Sequence, residues 1–401
     1  MADSRNSQIP VPPAQIRKTS LRDIAFLFLK LGTIGFGGPA AHIALMEEEV
    51  VRRRGWLSRQ EFLDLLGATN LIPGPNSTEL AIHVGHRQAG WAGLVVAGVS
   101  FILPAVLIVS GLAWTYVRYG TLPQFAGILY GVKPVVMAII LQALWRLGRA
   151  ALKTRFLGLL TVAGMTASFL GIHELILLAL SGAAVAAEQG TLWFKNRGLR
   201  SIHLGFPLPL FSSGTAAGGM ILLTTFSLWS LFFFFLKVGS VLFGSGYVLL
   251  VFLRSDLVER WHWLSETQLL DAVAIGQVTP GPVFTTATFI GYVLGGAGGA
   301  TLATVGIFLP AFLFVAASGP LVPRIRQSAV AGAFLDGVNA ASLALMAVVT
   351  WEFARVTLAD PLSVFVLVAA LLLLIHFHVN SSLLIGGAAL VGLLTHRFGY
   401  H

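Results

Sequence analysis

The chain has 401 residues, 56% of them hydrophobic and only 11% charged, with a mean hydropathy of +0.82. A soluble domain carries about 25% charged residues, so composition excludes a soluble globular protein and points to an all-α polytopic membrane protein in a lipid bilayer. The absence of cysteine excludes disulfides, thiolate metal sites and thiol redox chemistry. The net charge of +9 reads as basic loops facing the cytoplasm, so no nucleic-acid partner is expected.

In chain order, residues 1–20 form a polar tail containing Arg5, Arg17 and Lys18. It lacks the apolar core of a signal peptide and is expected to stay uncleaved. A first unit follows over residues 21–188. Its first apolar helix, 24–46, is interrupted by Gly35-Phe36-Gly37-Gly38-Pro39 and leads into a charged stretch over 47–54. After Trp56-Leu57-Ser58 comes a short helix through Asp64, then the break Pro73-Gly74-Pro75, then a second short helix from 76 to about 87. Neither short helix spans a bilayer alone. Together they read as a re-entrant hairpin, tolerated at membrane depth only where protein or water covers the broken backbone. Four spans follow near 91–117, 124–147, 156–170 and 174–188. A polar, basic linker over 189–226 then leads to a second unit, 227–401, which repeats the order.

The repetition is specific. FLKLGTIGFGGP from Phe28 returns as FLKVGSVLFGSG from Phe235, and NLIPGP returns as QVTPGP. Lys30 and Lys237, Trp56 and Trp263, and Pro73 and Pro280 are all 207 positions apart. Five crossings per unit, with a hairpin that does not cross, invert the second copy and give about ten transmembrane helices. The charges agree: Arg146, Arg149, Lys153 and Arg155 outweigh Arg118 in the first unit, whereas in the second Arg324 and Arg326 come in the earlier loop. This places Arg52 to Arg54, the linker and Arg326 inside and the C terminus outside. The basic N-terminal tail falls on the side that the charge rule disfavours, and its side stays open.

Each Pro-Gly-Pro break ends one helix and opens another, because proline disfavours a helical residue before it and is welcome at a helix's first position. The new helix starts with unpaired N–H groups that favour an anion. Asn76, Ser77 and Thr78 add side-chain donors at one break, and Thr285, Thr286 and Thr288 at the other. Two such starts near the midplane would grip a tetrahedral oxyanion; alternatively each break is a packed turn. Lys30 and Lys237 are intramembrane ammonium groups that need a carboxylate or a substrate anion, unless they snorkel to the interface. Gly37, Gly38, Gly244 and Ser245 either bring backbone amides to a ligand or permit tight helix packing. Glu79, His83 and Arg87 recur on one helix face with His86 adjacent, and they have no full copy. They read as a proton-coupling row or as a structural ion-pair ladder. Lys133 and Asp336, inside apolar spans, are further proton-coupling candidates. No metal-ligand spacing, nucleophile elbow or phosphate-loop pattern occurs, so neither a metal, a cofactor nor an enzyme activity is expected.

The order Phe-x-Lys-x-Gly, Phe-Gly-Gly or Phe-Gly-Ser-Gly, Trp-Leu-Ser, Pro-Gly-Pro, Gly-His or Gly-Tyr, and Ile-Leu-Pro or Phe-Leu-Pro resembles the chromate ion transporter family in its long form of two homologous domains. The likeness covers about residues 21–401. It implies an inner-membrane exporter of chromate, a sulfate-like oxyanion, driven by protons or the membrane potential; a homo-oligomer is left open. By motif position it directs attention to Lys30, Gly37, Trp56, Asn70, Pro73, Gly74, Pro75 and Glu79, and to Lys237, Gly244, Trp263, Gln277, Pro280, Gly281 and Pro282. The chain departs from the family pattern at Asn70, where glutamine is usual, and at Gly85-His86.

The competing readings are uptake of sulfate or another anion and, in a different class, a membrane enzyme or lipid-handling protein that binds a phosphate headgroup. Epitope tags test the topology. Tags after Arg155 and near Arg200 are expected inside and a tag at His401 outside, whereas tags that put the Arg118 and Arg324 loops on one side overturn the inverted arrangement.

Overall fold

The computed structural model describes residues 19–120, 122–197, 226–243, 246–326 and 328–397, and among them every regular element is a helix. Gly244 and Ser245, most of the linker and most of the N-terminal tail lie outside the described residues. Helix α1 (Leu21–Ile34) starts on Ser20, whose hydroxyl accepts from the Asp23 N–H at 3.1 Å. The chain breaks at Gly35 and turns through Gly37 and Gly38, at φ 103° and 74°. A side chain at either position would be strained. Helix α2 (Gly38–Met46) then runs into a π-helical segment, Glu47–Arg53.

Helix α3 (Arg59–Thr69) carries a capping box between Ser58 and Glu61. After the first Pro-Gly-Pro break, α4 (Asn76–Tyr119) reverses its backbone at Ala89 and Gly90, where φ at Gly90 is 62°. The expected short helix and the expected span from 91 therefore meet at this kink. Helices α5 (Pro123–Ala151), α6 (Arg155–Phe169) and α7 (Glu174–Arg197) complete the first half.

The second half repeats these devices. It comprises α8 (Leu228–Val241), the short α9 (Leu249–Phe252) with its π-helical segment Leu253–Arg260, and α10 (Glu266–Val278) with a Ser265–Gln268 capping box. Then follow α11 (Thr286–Arg326), kinked at Gly295 and Gly296, α12 (Ala329–Thr357), α13 (Pro361–Ile375) and α14 (Ser381–Arg397). The register between halves slips from 207 to 206 after the break, matching Gly90 to Gly296. Its cause is local: the second break opens on a 3-10 turn, Val283–Thr285. Three residues rising about 2.0 Å each cover the same length as four rising about 1.5 Å.

Packing interleaves the two halves. Within each half α1 lies on α4, and α8 on α11, while α4 and α11 cross each other. Beyond that, α5 packs against α13 and α14, and α12 packs against α6 and α7. Small residues permit this approach. A Cβ on Gly131 would strike the Ala388 carbonyl, and one on Gly337 would strike the Ser181 carbonyl. Tyr130 donates to Asp360 at 2.7 Å and Lys153 to Asp336 at 2.7 Å, so the equivalent helices α5 and α12 run antiparallel. Among the described residues, four helical stretches, Asn76–Tyr119, Gln124–Ala151, Val283–Ser318 and Ala329–Thr357, are long and apolar enough to cross a membrane, and four further apolar helices are shorter.

The interleaving predicts that Gly337→Leu lowers thermal stability in detergent by about 1–3 kcal/mol, the usual range for overpacking. Gly158→Ala, whose new Cβ would meet nothing within 4 Å, should leave the melting temperature unchanged or slightly raised. Equal effects at both positions would contradict the packing.

Candidate functional site

The two breaks meet. The Gly74 N–H donates to the Leu242 carbonyl at 2.8 Å, and the Gly281 N–H donates to the Gly35 carbonyl at 3.0 Å. Leu242 and Gly35 are equivalent positions at which α8 and α1 end. Each Pro-Gly-Pro break therefore satisfies the open carbonyl end of the other half's first helix. The close approach requires glycine. φ is 141° at Gly74 and 94° at Gly281. A Cβ on Gly74 would collide with the Glu79 carboxylate, and one on Gly281 would lie 2.7 Å from the Ala105 Cβ.

A cavity of about 340 Å³ opens beside this crossing, lined by both breaks: Pro75, Asn76 and Ser77 from one, Gly281, Pro282, Val283 and Phe284 from the other. Gly37, Gly38 and Gln277 also line it, and the Gln277 Nε2 is buried without a hydrogen-bond partner. Gln142 and Arg146 of α5, Thr279, and Ser381, the first residue of α14, add to the polar lining. Arg146 is exposed and makes no ion pair among the described residues. The arrangement can hold a small anion: two helix starts, several neutral donors and one guanidinium.

The other predicted residues stand apart from this cavity. Lys30 pairs with Glu49 at 2.6 Å, and Lys237 pairs with Asp256. Arg53 joins Glu49 at 3.3 Å and Arg260 joins Asp256 at 2.5 Å, giving two matched Lys–carboxylate–Arg clusters. Thus each lysine is neutralised by protein, on the π-helical segment after its own half's broken helix. Asn70 accepts from the Asn76 side chain at 2.7 Å. Thr285 and Thr286 donate to the Pro282 and Val283 carbonyls, so these hydroxyls stay within their own helical turn. The Thr78 Oγ1 is buried and unpartnered, while Pro73 and Pro280 serve as the entries to the breaks.

The Glu79, His83 and Arg87 row is not an ion-pair ladder. Arg87 pairs with Glu61 of α3 at 3.2 Å. Glu79 is fully buried, neither of its carboxylate oxygens has a hydrogen-bond partner, and the His83 Nε2 is likewise unpartnered. His86 stacks edge-on to Trp91. Outside the spans, the Ser58 backbone N–H, then the Ser58 side chain, hold the Glu61 carboxyl below its usual range, and Arg87 adds to this. Lys133 and Asp336, considered together in the sequence, are separated: Lys133 reaches Asp271 of the other half at 2.9 Å, and Asp336 reaches Lys153.

Three features escaped the sequence reading. His42 bonds the Gly35 carbonyl through Nε2 at 2.7 Å and the Ser77 hydroxyl through Nδ1 at 3.3 Å, tying the first break to the helix start. A carbonyl only accepts, so Nε2 carries the proton. Arg146 was read as a loop charge because the extent of α5 is not visible in composition. For Glu49 and Asp256 a signal existed, since they too are 207 positions apart.

Broken helices in matched positions, long apolar helices and a polar cavity between halves define a helical, multi-pass membrane protein. The chain belongs to the chromate transporter family, whose model matches it over residues 22–187 and 229–393. It is 33% identical over 388 residues to the chromate transport protein of Cupriavidus metallidurans, covering 95% of each chain. It is also 33% identical over 365 residues to the probable chromate transport protein of Synechococcus elongatus, covering 90% of each. With the chromate transport protein of Pseudomonas aeruginosa it shares 33% identity over 338 residues, 82% of this chain and 80% of the relative. No solved structure matches.

The matched clusters predict that Lys237 and Asp256 act on each other. In a double-mutant cycle of Lys237→Met and Asp256→Asn, thermal stability should show a coupling of about 1–3 kcal/mol, within the range for residues of one charge network. Additive effects, with a rise in substrate KM for Lys237→Met alone, would instead make the lysine a substrate ligand.

Proposed function

We propose that the protein is a secondary active transporter that exports chromate or a related tetrahedral oxyanion across the inner membrane by alternating access. The observation that carries this reading is the single cavity lined by both Pro-Gly-Pro breaks. Family membership and the names of the relatives support chromate as the substrate. In this reading the units 21–188 and 227–401 are inverted repeats of about ten spans, and each break is the tip of a re-entrant hairpin.

The anion is met by the helix-start N–H groups at Asn76 and Ser77 and at Val283 and Phe284, with Gln277 as a side-chain donor and the exposed Arg146 at the rim of the cavity. Lys30 and Lys237, already paired, brace the broken first helices. Glu79 is the coupling group: an unpaired intramembrane carboxyl touching the break through Gly74 can take and release one proton per cycle. The antiparallel packing of α5 and α12 supports alternation between two openings related by a pseudo-two-fold axis.

The test is flux in proteoliposomes with chromate, sulfate and phosphate, with and without a proton gradient. Chromate flux that responds to the gradient is expected. Glu79→Gln should keep chromate binding and flatten the pH dependence of flux between about pH 5.5 and 8, a window that brackets unperturbed histidine. Sulfate transport alone would replace the substrate, and an unchanged pH profile in Glu79→Gln would remove that residue from coupling.

A further inference from the structure

The repeat predicts a counterpart for the α5–α14 wall of the polar cavity, and one exists. A second cavity, about 610 Å³, lies between the α6–α7 link, the second π-helical segment and α12, with Glu174, Val348 and Glu352 in its lining. The register that matches Gly131 to Gly337 also matches Gln142 to Val348 and Arg146 to Glu352. The register that matches Ser181 to Ala388 likewise matches Glu174 to Ser381. The α5–α14 wall of the first cavity and the α12–α7 wall of the second are therefore equivalent positions in the two halves, at opposite ends of the antiparallel pair, while the two breaks line the first cavity and not the second. Helix α6 separates the two cavities. It starts beside Lys153, which follows the Arg146 end of α5, and finishes at the Ser168–Phe169 wall of the second cavity.

At these equivalent positions the chemistry is reversed. Where the first cavity carries a guanidinium free of any ion pair, the second carries a carboxylate, Glu352, held at 3.8 Å from Arg254 and 3.7 Å from Arg355. The first cavity has the start of α14 exposing Ser381, whereas the second has the start of α7 occupied by Glu174. Glu174 is 4% exposed, and its Oε1 has no hydrogen-bond partner. Gln142 is replaced by Val348, which removes an amide donor. These three exchanges act in one direction, adding anion donors at one end and subtracting them at the other, and the two arginines that line the second cavity are taken up by carboxylates, Arg254 by Glu259, Glu266 and Glu352 and Arg260 by Asp256.

We infer that Arg146 and Glu352 make the two openings unequal toward the oxyanion, the Arg146 end loading it and the Glu352 end releasing it. This rests on the transport reading above. A binding asymmetry does not drive net transport, which the coupling gradient sets, but it fixes the concentration at which each face saturates. Arg146 belongs to a basic segment with Arg149, Lys153 and Arg155, the cytoplasmic side by the charge rule. The arrangement thus suits an exporter: capture at low internal concentration, and low affinity on the outer face, where the anion is expelled by Glu174 and Glu352.

The experiment measures chromate uptake KM in right-side-out and in inverted membrane vesicles containing the full chain. The wild type should show the lower KM from the face bearing Arg146. Arg146→Gln should raise KM from that face by roughly tenfold, the order of one charge-assisted hydrogen bond, and change KM from the other face little. Arg146→Lys should retain most of the difference, which a purely packing role of Arg146 would not explain. Glu352→Gln should lower KM from the opposite face alone. Since Glu352 also holds Arg254 and Arg355, Val348→Gln gives a second route, restoring the missing amide and lowering the same KM without touching the ion pairs. Chromate flux with equal effects of Arg146→Gln on both faces overturns the inference and leaves the transport reading standing. A wild type that carries no oxyanion from either face removes both.

Discussion

Everything at the centre of this molecule depends on an exchange of two backbone hydrogen bonds. A helix that stops inside a bilayer leaves carbonyls that neither lipid nor its own turn can satisfy, at a cost of about 1–3 kcal/mol each or more. Here the carbonyl ends of the two broken first helices, at Gly35 and Leu242, are satisfied by the N–H groups of Gly281 and Gly74. Neither half satisfies its own break. The centre thus needs two copies of the unit, and the cavity beside it is shared by construction. The same logic explains the glycines: Gly74 and Gly281 have left-handed φ and no room for a Cβ. Loss of function on enlarging either would accordingly report first on the crossing and only secondarily on a ligand.

Symmetry supplies the scaffold and departures from symmetry supply the chemistry. The Lys–carboxylate–Arg clusters, the π-helical segments, the capping boxes and the kinks at Gly90 and Gly296 are all duplicated. They brace, and each appears once per half because each half needs bracing. By contrast Glu79 corresponds to threonines in the other copy, His42 to Leu249, and Arg146 to Glu352. A transporter with identical halves would treat its two faces alike. Glu79, whose carboxylate oxygens have no hydrogen-bond partner, and Arg146, which makes no ion pair among the described residues, are both confined to one half.

Much of the fold was legible in the sequence because proline, glycine and apolar run length are local signals. The broken first helix, the break at Pro73-Gly74-Pro75 and the spans from 91 and 124 follow from them directly. The pairing of halves was not legible: that α5 holds α13 and α14 rather than its own neighbours rests on Gly131 meeting Ala388, a contact between residues far apart in the chain. The same limit applied to the site. Both breaks stood out, but an intramembrane lysine looks the same in sequence whether its partner is a substrate or a carboxylate such as Glu49. Arg146 was hidden for the opposite reason, since a basic residue near a helix end resembles an ordinary loop charge until the helix beneath it is seen to face a cavity.

The central claim is that the two breaks form one anion site. The most direct test is a structure determined by electron cryo-microscopy with chromate bound at saturating concentration. The account predicts tetrahedral density between Asn76–Ser77 and Val283–Phe284, within reach of Gln277 and on the side of Arg146. Density seated instead on Lys30 or Lys237, displacing Glu49 or Asp256, would contradict it, as would a chromate held by one break alone with the Gly74 and Gly281 crossing unchanged.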